Sequence, residues 1–270
     1  MQKFDLKDFG TGCIESAFDA RDYVLNEVAL SVQLPESFEV LHSKIKNQGN
    51  VGSCVAHSIC EVLEAANQNN EIYSTNWIYG YRPEGYYVGP GMMARQACQT
   101  IVEKGFVPYD SFPGNTEMLA VMRQCKDKQG ELLKIAAERK AIAYNRLKTK
   151  EQIKEAIYTS GLPVLIVVRL TDQIELDENN IMQYDGTTGG GCHCMVCYGW
   201  NELGLLVQNS WGKNWGDNGT FILPEEYPFV EAWAISYDAE TNISSKPKNW
   251  WLRSLIQSII KLFSKGNIKI

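Results

Sequence analysis

The chain has 270 residues, enough for one large domain or for two lobes around a cleft. With 32 acidic against 26 basic residues its formal net charge is −6, which argues against a general nucleic-acid binder. No apolar run reaches the length of a membrane-spanning helix, and Met1 to Asp8 lack the apolar core of a secretory signal, so a reduced, cytoplasmic setting is expected. In that setting the eight cysteines read as buried thiols with one reactive member.

Residues 1–34 read as an irregular N-terminal segment closing at Leu34-Pro35. From Ser53 to about Asn67 the apolar residues Val55, Ala56, Ile59, Cys60, Leu63 and Ala66 recur at helical spacing. Tyr79 to Pro90 is punctuated by Gly and Pro and reads as loop. A second helix is expected from Met92 to about Lys104 with Gly105 as its stop, and a third from Glu117 to about Glu138. Thr149-Lys150-Glu151-Gln152 has the form of a capping box, and Gly161 would end the helix that it opens. The apolar run Leu162 to Leu170 predicts a buried strand, and short strands with turns dominate after Gly191. Helices first and strands later predict an α+β protein with a helical N-terminal lobe and an antiparallel β C-terminal lobe.

The end of the chain differs in character. From Lys246 to Ile270 there are six bases and no acid, so the tail is +6 and the remainder −12. Residues 249–265 carry an apolar stripe of Trp251, Leu252, Leu255, Ile256, Ile259 and Phe263, with Arg253, Gln257 and Lys261 largely off it. Such an amphipathic helix would suit an anionic membrane surface, or would dock on a partner protein or on the chain's own body. The expected division is an N-terminal segment at 1–34, a main domain at 35–242 and a basic helix at 243–270.

Chemistry concentrates at four positions. Cys54 opens the first helix, where the positive end of the helix dipole favours a thiolate and a neighbouring imidazolium would favour it further. A tight hairpin of 194–198 against 205–208 would pair residues whose numbers sum to about 403, which sets His193 beside 209 and 210. The Asn209 amide would then fix the orientation and tautomer of the imidazole. Gln48 carries an amide donor that, with the Cys54 backbone N–H, would form an oxyanion hole. Trp211 would cover the His193–Asn209 bond. Alternate residues of a strand face opposite ways, so Cys192 and Cys194 cannot join His193 as zinc ligands, and no finger-like Cys pair lies elsewhere.

Gln48-Gly49-Asn50-Val51-Gly52-Ser53-Cys54, His193 139 residues on, and Asn209-Ser210-Trp211-Gly212 resemble the papain family of cysteine peptidases. Phe18-Asp19-Ala20-Arg21-Asp22-Tyr23 with Leu34-Pro35 resembles its bacterial, cathepsin-like members, and the likeness covers about residues 18–237. It implies a two-lobed fold with the active site in the cleft between the lobes, and hydrolysis of peptide or protein substrates without a cofactor. By residue, it implies Cys54 as nucleophile, His193 as base, Asn209 as orienter and Gln48 as oxyanion donor. For substrate binding it implies Gly91 pairing with the substrate backbone, and Met92, Val167 and Cys194 around the pocket for the second residue before the scissile bond, with Trp211 nearby. Three departures stand out. Val51 replaces the family's cysteine, Val55-Ala56-His57 replaces Trp-Ala-Phe, and no long helical pro-segment precedes Phe18. A catalytically silent binding protein, or a transpeptidase or cell-wall peptide hydrolase on the same site, are the alternative readings.

Overall fold

The computed structural model describes residues 1–17, 19, 22 and 32–237. The helix expected over 249–265 and most of the 18–23 motif lie outside them. The elements in chain order are β1 (Gln2–Asp5), β2 (Cys13–Ile14), β3 (Phe38–Glu39), α1 (Cys54–Ala66), α2 (Thr75–Gly80), β4 (Met92–Met93), α3 (Ala94–Glu103), α4 (Met118–Ala136), β5 (Ala143–Leu147) and α5 (Lys150–Ser160). They are followed by β6 (Val164–Arg169), β7 (Gln173–Leu176), β8 (Cys192–Asn201), β9 (Gly204–Gln208), β10 (Thr220–Leu223) and β11 (Glu231–Ser236). The α+β order predicted from the sequence is what the chain adopts. Among the described residues no helix is long and apolar enough to cross a membrane.

One sheet, ordered β10-β9-β8-β6-β11-β5 with β3 against β8, separates two cores. On one face α1, α2, α3 and α4 bury Cys54, Ile59, Leu63, Trp77 and Ile101 against Leu165, Val167, Cys194 and Val196. On the other, Ile153, Ile157, Trp211, Trp215 and Phe221 pack on Ile166, Val168, Met195 and Cys197. The alternation along β6 and β8 places neighbouring residues in different cores, which is why β6 reads as a near-continuous apolar run. The capping box forms: the Thr149 hydroxyl accepts from the Gln152 N–H, and Gly161 closes α5 in the left-handed conformation, φ 66°. Its return bond goes to the Lys148 N–H at 2.7 Å.

Three features differ from the sequence expectation. First, α2 falls at the edge of a stretch read as loop. Ser74 caps it by accepting from the Trp77 N–H, but six residues are too few to show a helical period. Second, the β8–β9 hairpin turns on Glu202 and Leu203 alone, so Trp200 pairs with Leu205 and, beyond a bulge at Tyr198, Val196 with Gln208. That register is one to two residues off the predicted one. Third, residues 1–17 are not irregular. β1 pairs with β7 in antiparallel register, Gln2 opposite Leu176, and β2 pairs in parallel with β4, Cys13 opposite Met92. Both pairings are long-range, so nothing local in the sequence announces them.

Candidate active site

Cys54 is the first residue of α1, preceded by a loop that is tied down along its length. The Gln48 N–H donates to the Ser210 carbonyl at 2.8 Å, and the Val51 N–H to the Gln48 carbonyl at 3.2 Å. Asn115 Nδ2 donates to the Gln48 carbonyl at 2.6 Å and accepts the Ser53 hydroxyl on Oδ1 at 3.0 Å. The Ser53 hydroxyl also lies 3.2 Å from His57 Nδ1 and makes no capping bond to the backbone, and the Val55 N–H is turned to the Cys54 thiol.

His193, the second residue of β8, donates from Nε2 to Asn209 Oδ1 at 2.8 Å, which leaves Nδ1 as the acceptor nitrogen with no partner among the described residues. Asn209 Oδ1 also takes the Ser210 N–H at 2.7 Å, so the amide cannot rotate away. The Trp211 indole stacks on the imidazole, centroids 4.4 Å apart and planes 23° apart. The His–Asn contact arises although the hairpin register differs from the predicted one, because it is made by side chains beyond the end of β9.

The cleft is not open. Residues 9–14 form a strap through it. Phe9 stacks on Trp211 with centroids 4.6 Å apart, and the Gly10 N–H donates to the Gly49 carbonyl at 2.9 Å. The Gly10 carbonyl receives both Gln48 Nε2, at 3.0 Å, and Trp211 Nε1, at 2.9 Å. Gln48 is in turn held by Ser210, whose hydroxyl donates to Oε1 at 2.5 Å. The Gly12 N–H points at the Cys54 sulfur, and the Met92 N–H donates to the Gly12 carbonyl at 2.7 Å. A Cβ on Gly12 would lie 2.2 Å from the Gly52 carbonyl oxygen, and one on Gly10 2.4 Å from that of Val51, so only glycine passes at these two points. Beyond the strap, Ser16 donates from both N and Oγ to Glu231 Oε1.

Burial under the strap decides the electrostatics. Cys54 and His193 are both fully buried. Burial pushes the Cys54 thiol up to about 12, against the lowering effect of the Cys194, Val55 and Gly12 amides. Burial likewise pushes the His193 imidazole down to about 4, with the Asn209 bond opposing. Both groups are therefore neutral, and the thiolate–imidazolium pair expected from the helix dipole is absent in this state. Desolvation penalises both charges at once and outweighs the half-charge of the helix end. His57 is also neutral, pushed down to about 4 by burial, and its Nδ1 bonds the Ser53 carbonyl at 3.0 Å as a helix-internal contact.

The residues expected to meet substrate gather at the strap. Gly91 sits at φ +86° with Gly12 against it, and Met92 bonds the strap's backbone. Met92, Val167 and Cys194 lie in the same buried cluster as Cys13 and Cys54. Trp211 plays a larger part than expected, since it holds both His193 and Gly10. Sequence reasoning missed Asn115 and Ser210, and left open whether residues 1–34 block the cleft, for which the Gly10-Thr11-Gly12 spacing was the available signal. A hollow of ≈ 540 Å³ lined by residues such as Leu34, Pro35 and Trp200 lies elsewhere and shares no lining residue with the cleft.

Comparison with known proteins fits this geometry. The family model for papain family cysteine proteases matches residues 34–232. The chain belongs to the papain family. It is thus a cysteine-type peptidase, with the papain-like fold seen in its structural relatives. The chain is 24% identical over 279 residues to the peptidase C1-like protein L477 of Acanthamoeba polyphaga mimivirus, covering 94% of this chain and 80% of that one. It is 25% identical over 188 residues to mexicain of Jacaratia mexicana, covering 65% and 79%. Among solved structures, xylellain, a cysteine protease from Xylella fastidiosa, superposes with a TM-score of 0.65 at 21% identity, covering 88% of this chain and 99% of that one. The procathepsin B S9 of Trypanosoma congolense gives a TM-score of 0.65 at 18% identity, covering 85% and 87%.

Proposed function

We propose that Cys54, His193, Asn209 and Gln48 carry the peptidase chemistry of this chain and that residues 9–14 hold it latent. Once the strap leaves, water and substrate reach the pair, the penalty on charge falls, and Cys54 can pass its proton to His193 Nδ1. The thiolate then attacks a peptide carbonyl. The oxyanion is received by Gln48 Nε2 and the Cys54 backbone N–H, His193 protonates the leaving amine, and water releases the acyl group. Asn209 keeps Nε2 occupied so that Nδ1 faces the thiol, and Trp211 shields that bond from water.

The observation that carries this reading is the Gly10 carbonyl. Gln48 and Trp211 both donate to it, beside a Cys54 that the Gly12 amide covers. It sits as a scissile carbonyl would. From Gly10 the chain runs on to Met92, the side assigned by resemblance to residues before the scissile bond. The strap therefore runs opposite to a substrate, and the Thr11 nitrogen, which would have to leave, lies on the acyl side. Such a segment blocks without being cut.

Labelling with an epoxide thiol inhibitor and peptide mass mapping tests both parts. Wild type should react slowly. Gly12→Val, which cannot hold the strap, should be modified stoichiometrically at Cys54 and should cleave an unfolded protein, and His193→Ala added to it should abolish both. Slow labelling scattered over several cysteines in Gly12→Val would instead mean a silent binding cleft. Contact of the 249–265 stretch with an anionic membrane or a partner protein is a separate proposal, resting on its stripe and its bases. Removing residues 243–270 should then abolish vesicle binding while leaving turnover intact.

A further inference from the structure

Four of the eight cysteines meet where the strap crosses β8. Cys13 is 4% exposed and lies within electrostatic reach of Cys54, Cys192 and Cys194. Its thiol lies within hydrogen-bonding reach of that of Cys192 and of the Ile14 carbonyl, 3.8 Å from Sγ. The two segments also approach closely one residue before Cys192: a Cβ on Gly191 would fall 2.7 Å from Thr11 Oγ1. Cys192 differs from the other seven cysteines in being half-buried where they are buried. It pairs with Arg169 in the sheet, and the Arg169 guanidinium reaches over to the residue that follows the strap, Nη2 donating to Glu15 Oε2 at 2.6 Å. The Cys192 thiol is thereby held below the usual cysteine range, first by the Cys13 thiol beside it and then, against burial, by the Arg169 charge. Cys13 itself is held well above that range by the Cys192 thiol and by burial.

A half-buried thiol held below its ordinary range, beside a buried thiol on a separate segment, is the arrangement of an attacking and a resolving cysteine. We propose that a low-molecular-weight disulfide of the glutathione type oxidises Cys13 and Cys192 to a disulfide that locks the strap in the cleft. This rests on the latent reading above. The Cys192 thiolate attacks one sulfur of the small disulfide, giving a mixed disulfide and one thiolate leaving group. Cys13 then loses its proton to that thiolate and attacks the Cys192 sulfur, expelling the second small thiolate, which takes up a proton from water. Two cysteine thiols are oxidised to one disulfide, and one small disulfide is reduced to two thiols. The reverse exchange, driven by excess small thiol, frees the strap. Opening requires β2 to part from β4 and Cys13 from Cys192, and a covalent bond at that point forbids it while leaving Cys54 chemically intact.

The test uses the full chain, treated with oxidised glutathione or kept reduced. Non-reducing peptide mapping reads the bond itself, whether or not Cys54 ever turns over, and alkylation of Cys54 by iodoacetamide at fixed neutral pH reads the latch. The expected result is one Cys13–Cys192 link, no adduct on Cys54, and alkylation slower by about tenfold or more, reversed by dithiothreitol, because the strap's local opening is suppressed. Cys13→Ser and Cys192→Ser should each abolish the oxidised–reduced difference, and the first does so without altering the residue beside His193. Linkage of Cys13 to Cys54, linkage within Cys192 and Cys194, or unchanged alkylation despite the expected link would each overturn the latch. Failure of the latent reading shows differently: reduced wild type would alkylate as fast as reduced Gly12→Val.

Discussion

Two β structures of unequal strength meet at Cys54. β6 and β8 share a ladder of six residue pairs, Val164 opposite Cys197 through Arg169 opposite Cys192, with cores on both faces. The strap reaches β4 through two pairs, Cys13 opposite Met92 and Ile14 opposite Met93, and crosses the cleft on glycines that bring no side chain to pack. Buried apolar area sets most of the stability of such elements, so the first should open only when the whole domain unfolds and the second far more readily. The same fold thus supplies a rigid frame for His193 and a releasable cover for it.

The comparison breaks most sharply where chemistry is removed from both regions. In the Gly12→Val background, Cys54→Ala should lower peptide hydrolysis by roughly 10⁴-fold or more, while thermal unfolding stays within about 1 kcal/mol of its parent. Next comes the frame. Leu165 is fully buried between β8 and β11, and Leu165→Ala should cost about 2–5 kcal/mol in urea unfolding by leaving a cavity. A loss below about 1 kcal/mol there would mean that the ladder is no better packed than the strap.

The strap should respond in the opposite sense. Gly12→Val puts a branched side chain where even a Cβ meets the Gly52 carbonyl at 2.2 Å. Alkylation of Cys54 should rise by about a hundredfold while global unfolding moves by less than about 1 kcal/mol, since a local opening and not the frame is affected. Equal rates in mutant and wild type would show that the strap does not control access.

How far the sequence spoke follows from the same contrast. Cys54 at a helix start and His193 beside Asn209 were legible because local structure, a helix start and a hairpin, sets both placements. The hairpin predicted the right neighbour with the wrong register, because the two-residue turn and the bulge at Tyr198 are invisible in an apolar pattern. Helices α1 and α5 were legible from period and capping, whereas α2 is too short to show either. The strap was not legible, since two short strands and two glycines acquire meaning only from the cleft that receives them. Its consequence, a neutral pair in place of an ion pair, was therefore missed as well.

The smallest predicted effect concerns pH and turns on His193. In Cys54→Ala, where no thiol can pass its proton to His193, burial holds the imidazole at about 4 in the covered state, against its ordinary value of 6.5 in an uncovered site. The covered state therefore binds fewer protons than the open one between these values. Its advantage from this group is fully present above pH 6.5 and is lost as the pH falls towards 4. By pH 5.5 the open form gains about 1.4 kcal/mol, or roughly tenfold in the opening equilibrium. Hydrogen exchange of the Gly10 amide, which donates to the Gly49 carbonyl at 2.9 Å, reports that opening once intrinsic rates are corrected for pH. Its protection should fall about tenfold from pH 7.5 to 5.5 in Cys54→Ala and stay flat in the Cys54→Ala, His193→Asn double variant. Amides of β8 should show no such slope in either protein, because the frame does not open with the strap. A matching slope in β8 would mean that acid loosens the whole domain, and the distinction between cover and frame would fail.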